Sequence, residues 1–245
     1  MSRFVRFVRE ALAEPRLWFL LPLIAGSAIG QAAPPNLAGV WELRFDPMVL
    51  RQKPPAPPYV PEYRNIYEQK LALVRAGKLD LGGLCRPPGM PQISSLLGRM
   101  EIINAPAGRL TILYEYQSQI RRIYLNARHP EDVDPTMNGD SIAHWEGDTL
   151  VVHTTAIKDL AYLDPNQGPH SDALEVEERI HLPKRDTMQI DYKVTDPIAL
   201  KEPWTYSKTF DRVPNGKLID YYCNENPRNP VQEDGSLGFT FETTR

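Results

Sequence analysis

The sequence contains none of the short motifs that identify the commonest enzyme classes. It has no HExxH, HxH or CxxC spacing for a metal ion and no G-x-S-x-G nucleophile elbow. A glycine-rich phosphate loop and a dinucleotide fingerprint are also missing, and neither of the two cysteines adjoins a histidine. These absences argue against nucleotide chemistry and against a serine or cysteine nucleophile, and we predict no cofactor.

A strong excess of charge of either sign is missing as well. The 28 Lys and Arg against 31 Asp and Glu give a formal net charge of −3, without a long basic run. Neither nucleic acid nor an anionic membrane surface is therefore favoured as a partner. A chain of 245 residues, 42% of them hydrophobic, is consistent with one globular domain of about 200 residues plus appendages.

Residues 1–33 have the pattern of an export signal. Four arginines precede an uncharged stretch at 17–30, and small residues around Ala28 offer cleavage sites. A membrane-spanning helix needs about 20 apolar residues, whereas this stretch is shorter and contains Pro22. We predict a cleaved signal peptide, with a retained N-terminal anchor as the alternative, and a periplasmic or secreted protein that meets a membrane only if the segment is retained. An oxidising compartment favours a Cys85 to Cys223 disulfide over two buried free thiols.

Strand-forming residues dominate the chain after residue 100. A first strand at 36–45 is followed, after a helical pattern that starts at Pro61 and ends at Gly77, by runs separated by turn signals. These runs are 100–104, 109–116, 119–125, 140–146, 149–155, 173–182, 187–194, 204–213 and 217–223. We predict a mainly β fold: an antiparallel up-and-down, lipocalin-like barrel of about 8–10 strands with one capping helix. It occupies 34–226, before a polar C-terminal tail at 227–245.

The stretch at 140–155, DSIAHWEGDTLVVHTT, predicts a hairpin with ionisable side chains. If its turn is the two-residue loop Glu146-Gly147, Asp140 lies directly across from His153. Such neighbours have Cβ atoms roughly 4.5 to 5.5 Å apart, close enough for a carboxylate to hydrogen-bond an imidazole. A three-residue loop would instead place His144 and His153 on opposite faces. The first register predicts an Asp/His dyad in which His153 suits proton abstraction near neutral pH.

A second group of polar side chains is expected on an apolar strand face. A turn at Gln117-Ser118 places Arg121 among apolar residues, with Tyr114 directly across the hairpin. An arginine on such a face needs a partner, since an unpaired buried charge is very costly. Glu178 is the candidate, because it lies in the middle of the apolar face of 173–182. The three side chains either bind a polar group of a mainly apolar ligand, form a structural pair in the core, or point to solvent in another register.

A third group comprises His144, His153, His170 and Asp172. Three imidazoles and a carboxylate are the ligand set of a catalytic zinc site, but only the fold could bring them together, and no metal site is assigned. His129 and His181 are interpreted as hydrogen-bonded structural residues. Strand histidines of this kind are usually satisfied within the fold rather than bound to a ligand.

Several longer motifs resemble one family. NLAGVW, CRPPGMP, ILYEYQSQIRRIYL, ARHPEDVDPT, SIAHWEGDTLVV, PHSDALEVEER and YYCNEN are similar to segments of a group of exported proteins from soil and aquatic bacteria, across 36–226. The resemblance implies export and a lipocalin-like, calycin-type barrel, but no particular reaction. In the family pattern the position of Asp140 is usually His and that of His153 usually Asp. The exchange of the two is expected if their side chains touch.

Three functional hypotheses follow. The first is an exported barrel enzyme that uses general acid/base chemistry, of lyase, isomerase or hydrolase type, on a small, largely apolar molecule. In it Asp140 orients His153, while Tyr114 and Arg121 stabilise developing negative charge. The substrate-binding residues would be Glu178, His144, His170 and Asp172. The second is a non-catalytic, lipocalin-like periplasmic binder of an apolar ligand, with the same polar residues as anchors. The third is a histidine-based metalloprotein.

Overall fold

The alternating strand residues fold into a closed barrel in the computed structural model of the protein. The structure describes residues 34–44, 55–76, 78, 86–96, 98–105 and 108–221. They belong to one compact unit, Ala33–Arg245. The predicted signal segment 1–33, the Cys85 to Cys223 disulfide and the tail at 227–245 lie outside the described residues. Within the described ranges, no helix combines the length and the apolar character that crossing a membrane requires.

Nine strands form the barrel, and their order around it is their order in the chain. They are β1 (Gly39–Leu43), β2 (Arg99–Ala105), β3 (Arg109–Tyr114), β4 (Ile120–Leu125), β5 (Asp140–Glu146), β6 (Thr149–Thr155), β7 (Glu175–Lys184), β8 (Thr187–Thr195) and β9 (Trp204–Arg212). The predicted mainly β barrel is confirmed. The predicted strand at 217–223 is wrong as far as the structure describes it, because 217–220 are unpaired and Tyr221 makes an isolated bridge to Tyr116. β1 already pairs with β2 on one side and β9 on the other, so no edge remains for a tenth strand.

The odd number of strands requires one parallel pair. In a ring of nine strictly alternating strands, the first and the last would run in the same direction. Here β4 and β5 are parallel, and β9 closes antiparallel onto β1. The chain must therefore return along the barrel between β4 and β5, and the connection 126–139 does so. The predicted antiparallel order holds at every other neighbouring pair.

The predicted capping helix is confirmed as α1 (Pro61–Arg75), with proline in its first turn. The hydroxyl of buried Tyr67 donates a hydrogen bond to Asp164 Oδ2 at 2.7 Å. The ammonium group of Lys70 donates to the carbonyl oxygen of Gln167 at 2.9 Å. Both partners belong to the connection between β6 and β7, so the helix packs on that connection.

The inner face of the barrel is apolar at its ends and polar across its middle. Its buried apolar side chains include Trp41, Met100, Ile102, Ile112, Ile123, Leu150, Val152, Ile180, Met188, Val194 and Phe210. A band of polar side chains runs from β3 to β9, and we call it the polar belt: Tyr114, Arg121, Ser141, Thr154, Glu178, Tyr192, Tyr206 and Lys208. A short 3-10 turn, Gln92–Ser95, packs against this inner face and is itself largely buried.

Candidate functional site

Arg121 and Glu178 form the ion pair at the centre of the polar belt. They are 2% and 1% exposed, and both terminal guanidinium nitrogens donate to the two carboxylate oxygens, Nη1 to Oε1 at 3.1 Å. Arg121 Nε also donates to Ser141 Oγ at 3.1 Å, and Nη2 donates to Thr154 Oγ1 at 2.8 Å. Four hydrogen bonds, two of them to one bidentate carboxylate, are the arrangement that allows a guanidinium to be buried. The prediction that Arg121 and Glu178 contact each other is therefore confirmed.

The faces of the β3/β4 hairpin agree with the prediction, but its register does not. Arg121 pairs with Ile112 rather than with Tyr114. Because the difference is two residues, Tyr114 still faces inward beside Arg121. Burial raises the pKa of Tyr114 to about 12, against the opposing effect of the Arg121 charge. The phenol is therefore neutral at ordinary pH and stabilises the pair as a hydroxyl, not as an anion.

Lys208 is a functional candidate that the sequence interpretation missed. It lies on the inner face of β9, where its Nζ donates to Ser95 Oγ and sits 5.6 Å and 5.2 Å from the ring centres of Tyr192 and Tyr206. The side chain as a whole keeps some exposure, but its amine is enclosed, and this burial lowers the pKa of Lys208 to about 7. The sequence could have identified Lys208 as an inward-facing residue, because the alternation of residues in WTYSKTF puts it on the same face as Trp204.

Buried polar atoms without hydrogen-bond partners occur on the two tyrosines beside Lys208 and in the 3-10 turn that contacts it. The hydroxyl of Tyr206 and Oε1 of Gln92 are buried and unpaired. The hydroxyl of Tyr192 lies near Ser94 but makes no hydrogen bond of acceptable geometry with it. The two tyrosine rings are stacked, with centres 4.8 Å apart. An unpaired buried polar group costs about 1–3 kcal/mol, so these unpaired atoms call for an explanation.

A narrow crevice lies between the 3-10 turn and the barrel wall. Ile93 and Ser94 line one side of it, and Met100, Tyr114 and Phe210 line the other. Its volume is about 10 Å³, which is room for about one water molecule. The crevice beside the turn therefore has no room for a ligand larger than water.

The β5/β6 hairpin also has its predicted faces and a different register. Its two-residue loop is Gly147-Asp148 instead of Glu146-Gly147, because Glu146 pairs with Thr149. Asp140 consequently pairs with Thr155, and His153 pairs with Ile142. The predicted direct Asp140 to His153 dyad is therefore wrong. Both side chains share the outer face as diagonal neighbours, whose Cβ atoms are typically about 7–8 Å apart.

A third imidazole spans the gap between them. His129 Nδ1 is 2.6 Å from Asp140 Oδ2, and His129 Nε2 is 2.9 Å from His153 Nδ1. His153 Nε2 is in turn 3.4 Å from Glu175 Oε2. We call these four side chains, Asp140, His129, His153 and Glu175, the outer relay. If both carboxylates are ionised, the three contacts need three N–H donors, one at each outer end and one between the two imidazoles. Two neutral imidazoles carry only two N–H protons, so the outer relay then holds one additional, transferable proton.

No local sequence signal identifies His129 as a member of the outer relay. It belongs to the connection 126–139, which the parallel β4/β5 pair forces back along the outside of the barrel. The connection is held there by a bridge between Thr136 and Ile157. The interpretation of His129 as a hydrogen-bonded residue agrees with its contacts, but it overlooked that those contacts join Asp140 to His153.

The remaining predicted residues do not join either group. His144 points outward and contacts Glu146 Oε1 at 3.1 Å. His170 is buried, its Nδ1 donates to the carbonyl oxygen of Ser171 at 2.6 Å, and burial lowers its pKa. Asp172 is exposed. In the part of the chain that the structure describes, no three such side chains are placed to hold a metal ion, so the proposed zinc ligand set is not assembled.

The residues predicted to form one catalytic site thus lie on two faces of the same wall. Arg121, Tyr114 and Glu178 face the interior, whereas Asp140 and His153 face outward. The period of two along a strand explains the division, since side chains on opposite faces cannot reach one substrate atom. A mechanism that combines all five is excluded by this geometry.

The comparisons with known proteins show a similarity of fold only. No protein-family model matches the chain, and no curated protein matches it. Two solved structures of single-residue variants of the fluorescent protein UnaG are similar to it. The first is 13% identical and covers 72% of this chain and 96% of its own, with a TM-score of 0.35. The second is 10% identical and covers 73% and 97%, also with a TM-score of 0.35. The observed closed barrel agrees with the calycin-type fold that the sequence resemblance implies.

Proposed function

We propose that the protein binds a small, largely apolar molecule inside the barrel, with a polar group of that molecule at the polar belt. The observation that supports this function is the set of unpaired atoms around Lys208, above all the Tyr206 hydroxyl. Apolar walls with a few convergent polar groups are typical of small-molecule sites. A bound hydroxyl or carbonyl would offset the cost of burying these atoms unpaired.

Access of a ligand to the interior requires the 3-10 turn Gln92–Ser95 to move. The crevice beside Ile93 and Phe210 runs along the boundary between turn and wall. The turn is flanked by Pro91 and by Leu96 and belongs to no strand, so its displacement breaks no ladder hydrogen bond. We infer that ligand binding and displacement of this turn occur together.

The experiment is a comparison of Tyr206→Phe with Tyr67→Phe. Each substitution removes one hydroxyl and keeps the ring. The Tyr67 hydroxyl is bonded to Asp164 at 2.7 Å, so Tyr67→Phe should destabilise the protein by about 1–2 kcal/mol in urea unfolding. Tyr206→Phe should leave the ligand-free protein equally stable or more stable, yet weaken binding of the fluorescent probe 8-anilinonaphthalene-1-sulfonate.

Native mass spectrometry of the full chain provides the second arm. A small-molecule mass that is lost on denaturation, and is reduced in Tyr206→Phe but not in Tyr67→Phe, supports the interior site. If the probe binds both variants as it binds the unmodified protein, and no small molecule is retained, the interior site is refuted.

The outer relay favours a second candidate function, acid/base chemistry at the barrel surface. Its specific support is the continuous contact from Asp140 through His129 to His153. His153 is 38% exposed and can meet a substrate from solvent. The test is hydrolysis of p-nitrophenyl acetate. His153→Gln and His129→Gln should each lower the rate toward that of buffer, whereas His144→Gln should not. Equal rates in all three variants would eliminate this candidate.

A further inference from the structure

Lys208 has an environment unlike that of an ordinary surface lysine. Its Nζ is enclosed by the Tyr192 and Tyr206 rings and by Ser95. Among the described residues, no carboxylate is within ion-pair distance of it. Glu178, whose charge acts on the amine, is held by Arg121 through both carboxylate oxygens. The amine is thus enclosed without a counter-ion of its own.

An amine in such a place is a nucleophile near neutral pH. Burial lowers the pKa of Lys208 to about 7, and the charge of Glu178 only partly opposes this. At pH 7 roughly half of the Lys208 amine is therefore uncharged. The uncharged fraction of an unperturbed lysine, with a pKa of about 10.4, is roughly a thousand times smaller. Desolvation in a hydrophobic pocket is a recognised way of activating a lysine for reaction with carbonyl compounds.

We propose that Lys208 forms a reversible imine with small apolar aldehydes that enter the barrel. This inference rests on the proposed function, because the aldehyde must first occupy the interior site. It names the chemical class of the ligand: a carbonyl carbon on an apolar body. The enclosed Nζ, the unpaired Tyr206 hydroxyl and the apolar wall around Phe210 are the three features that fit such a ligand.

The condensation balances without an oxidant or a reductant. The nitrogen lone pair attacks the carbonyl carbon, the C=O π bond opens, and the oxygen takes one of the two amine protons to give a carbinolamine. That hydroxyl then takes the remaining nitrogen proton and leaves as water, while the nitrogen lone pair forms the C=N bond. The products are one imine and one water molecule. The Tyr206 hydroxyl has no protein partner and is therefore available to hydrogen-bond the carbonyl oxygen.

The contact with Ser95 links this chemistry to the 3-10 turn. Ser95 is the last residue of the turn Gln92–Ser95 and accepts a hydrogen bond from Nζ. A substituent on Nζ replaces that contact and takes the space of the turn. We therefore expect imine formation to loosen the 3-10 turn, as ligand binding does under the proposed function.

The experiment uses the full chain, benzaldehyde and sodium cyanoborohydride, which reduces an imine to a stable secondary amine. Peptide mapping by mass spectrometry then measures benzylation at each lysine. We expect Lys208 to be modified at least about tenfold faster at pH 7 than Lys193, an exposed lysine on the neighbouring strand β8. The Lys208 rate should level off above pH 8, whereas the Lys193 rate should continue to rise. Lys193→Arg should leave the labelling of Lys208 unchanged.

Benzyl alcohol separates the failure of this inference from that of the proposed function, since it fits the same site but cannot form an imine. Faster Lys208 labelling that benzyl alcohol suppresses supports both. If benzyl alcohol binds, as measured by calorimetry, but Lys208 reacts no faster than Lys193, the imine is refuted and the binding function stands. If benzyl alcohol does not bind and Lys208 is not labelled preferentially, both are refuted. These outcomes are measured on the unmodified protein and do not require a Lys208 variant to fold.

Discussion

At the scale of single residues, the central ion pair is the most consequential buried contact. Arg121 makes four hydrogen bonds, two of them to Glu178, within the polar belt of the barrel interior. Burial by itself would lower the pKa of Arg121, but the charge of Glu178, the neighbouring Tyr114 and the hydrogen bonds to both together raise it. The guanidinium of Arg121 therefore stays charged in the folded protein under all ordinary conditions. The stability of the fold around this buried charge depends on the Glu178 carboxylate.

Glu178→Gln is the substitution that tests this dependence. It keeps the shape of the side chain but leaves the Arg121 charge buried without a counter-charge, so it should lower the free energy of unfolding by about 3 kcal/mol. Glu177→Gln is the matched control, since Glu177 lies on the outer face of the same strand. Its effect should be within about 0.5 kcal/mol. Urea unfolding of the two variants measures the difference, and equal midpoints would show that the pair contributes no net stability.

At the scale of elements, the parallel pair β4/β5 determines which residues can meet on the outer surface. The chain enters β5 at Gly139, whose φ of +67° is in the left-handed region. A Cβ at this position would lie 2.5 Å from the carbonyl oxygen of Thr155 and 2.7 Å from Cγ2 of Thr154. Glycine is therefore required by both conformation and space where the connection 126–139 ends.

Gly139→Ala and Gly147→Ala separate these two requirements. Gly147 has a similar φ of +63°, but a Cβ added there would have no other atom within 4 Å, so its substitution costs only backbone strain, about 1–2 kcal/mol. Gly139→Ala adds a clash with the backbone of β6 and should cost at least about 1–3 kcal/mol more. Thermal unfolding of both variants checks the ranking. A Gly139→Ala protein as stable as Gly147→Ala would mean that the start of β5 can move.

The two hairpins show which features of the candidate site could be predicted from the sequence and which could not. Alternation placed Arg121 and Glu178 on the correct face and put Asp140 and His153 on a common face, because the side-chain period of a strand is two. It did not identify that common face as the outer one, so the predicted site wrongly combined these two residues with Arg121. Both predicted registers were nevertheless displaced by two residues, since a shift of that size leaves every face unchanged and only the turn geometry decides it. Lys208 was accessible to the same alternation argument. His129 was not, because its position depends on the path of a connection and not on a periodic pattern.

At the scale of the whole molecule, Lys208 should make global stability depend on pH in a predictable direction. Its pKa is about 7 in the folded protein and about 10.4 in the unfolded chain. Between these values the unfolded chain binds more protons, so stability rises with pH. The cost of burying the amine is fully present below about pH 7 and is relieved as the pH approaches 10.

Lys208→Met removes this titration. The variant should exceed the unmodified protein in stability most at pH 6, and the difference should shrink by up to about 1.4 kcal/mol per pH unit above pH 7. Lys193→Met, at an exposed outer position, should show a difference that does not vary with pH. Urea unfolding from pH 6 to pH 9 measures both. A constant difference for Lys208→Met would mean that its amine titrates as a surface lysine does.

The closure of the ring has a consequence for synthesis. β1 lies near the beginning of the described chain, and one of its two neighbours in the barrel is the last strand, β9. Trp41 pairs with Arg212, and the guanidinium carbon of Arg212 lies 4.0 Å from the centre of the Trp41 ring. Until Arg212 has left the ribosome, an unfinished chain has two unpaired sheet edges, one on β1 and one on the most recent strand. Open edges are where separate chains pair and aggregate. From the synthesis of β1 until that of β9, a nascent chain of this protein is therefore exposed to misassembly, and only the last strand of the barrel removes the risk.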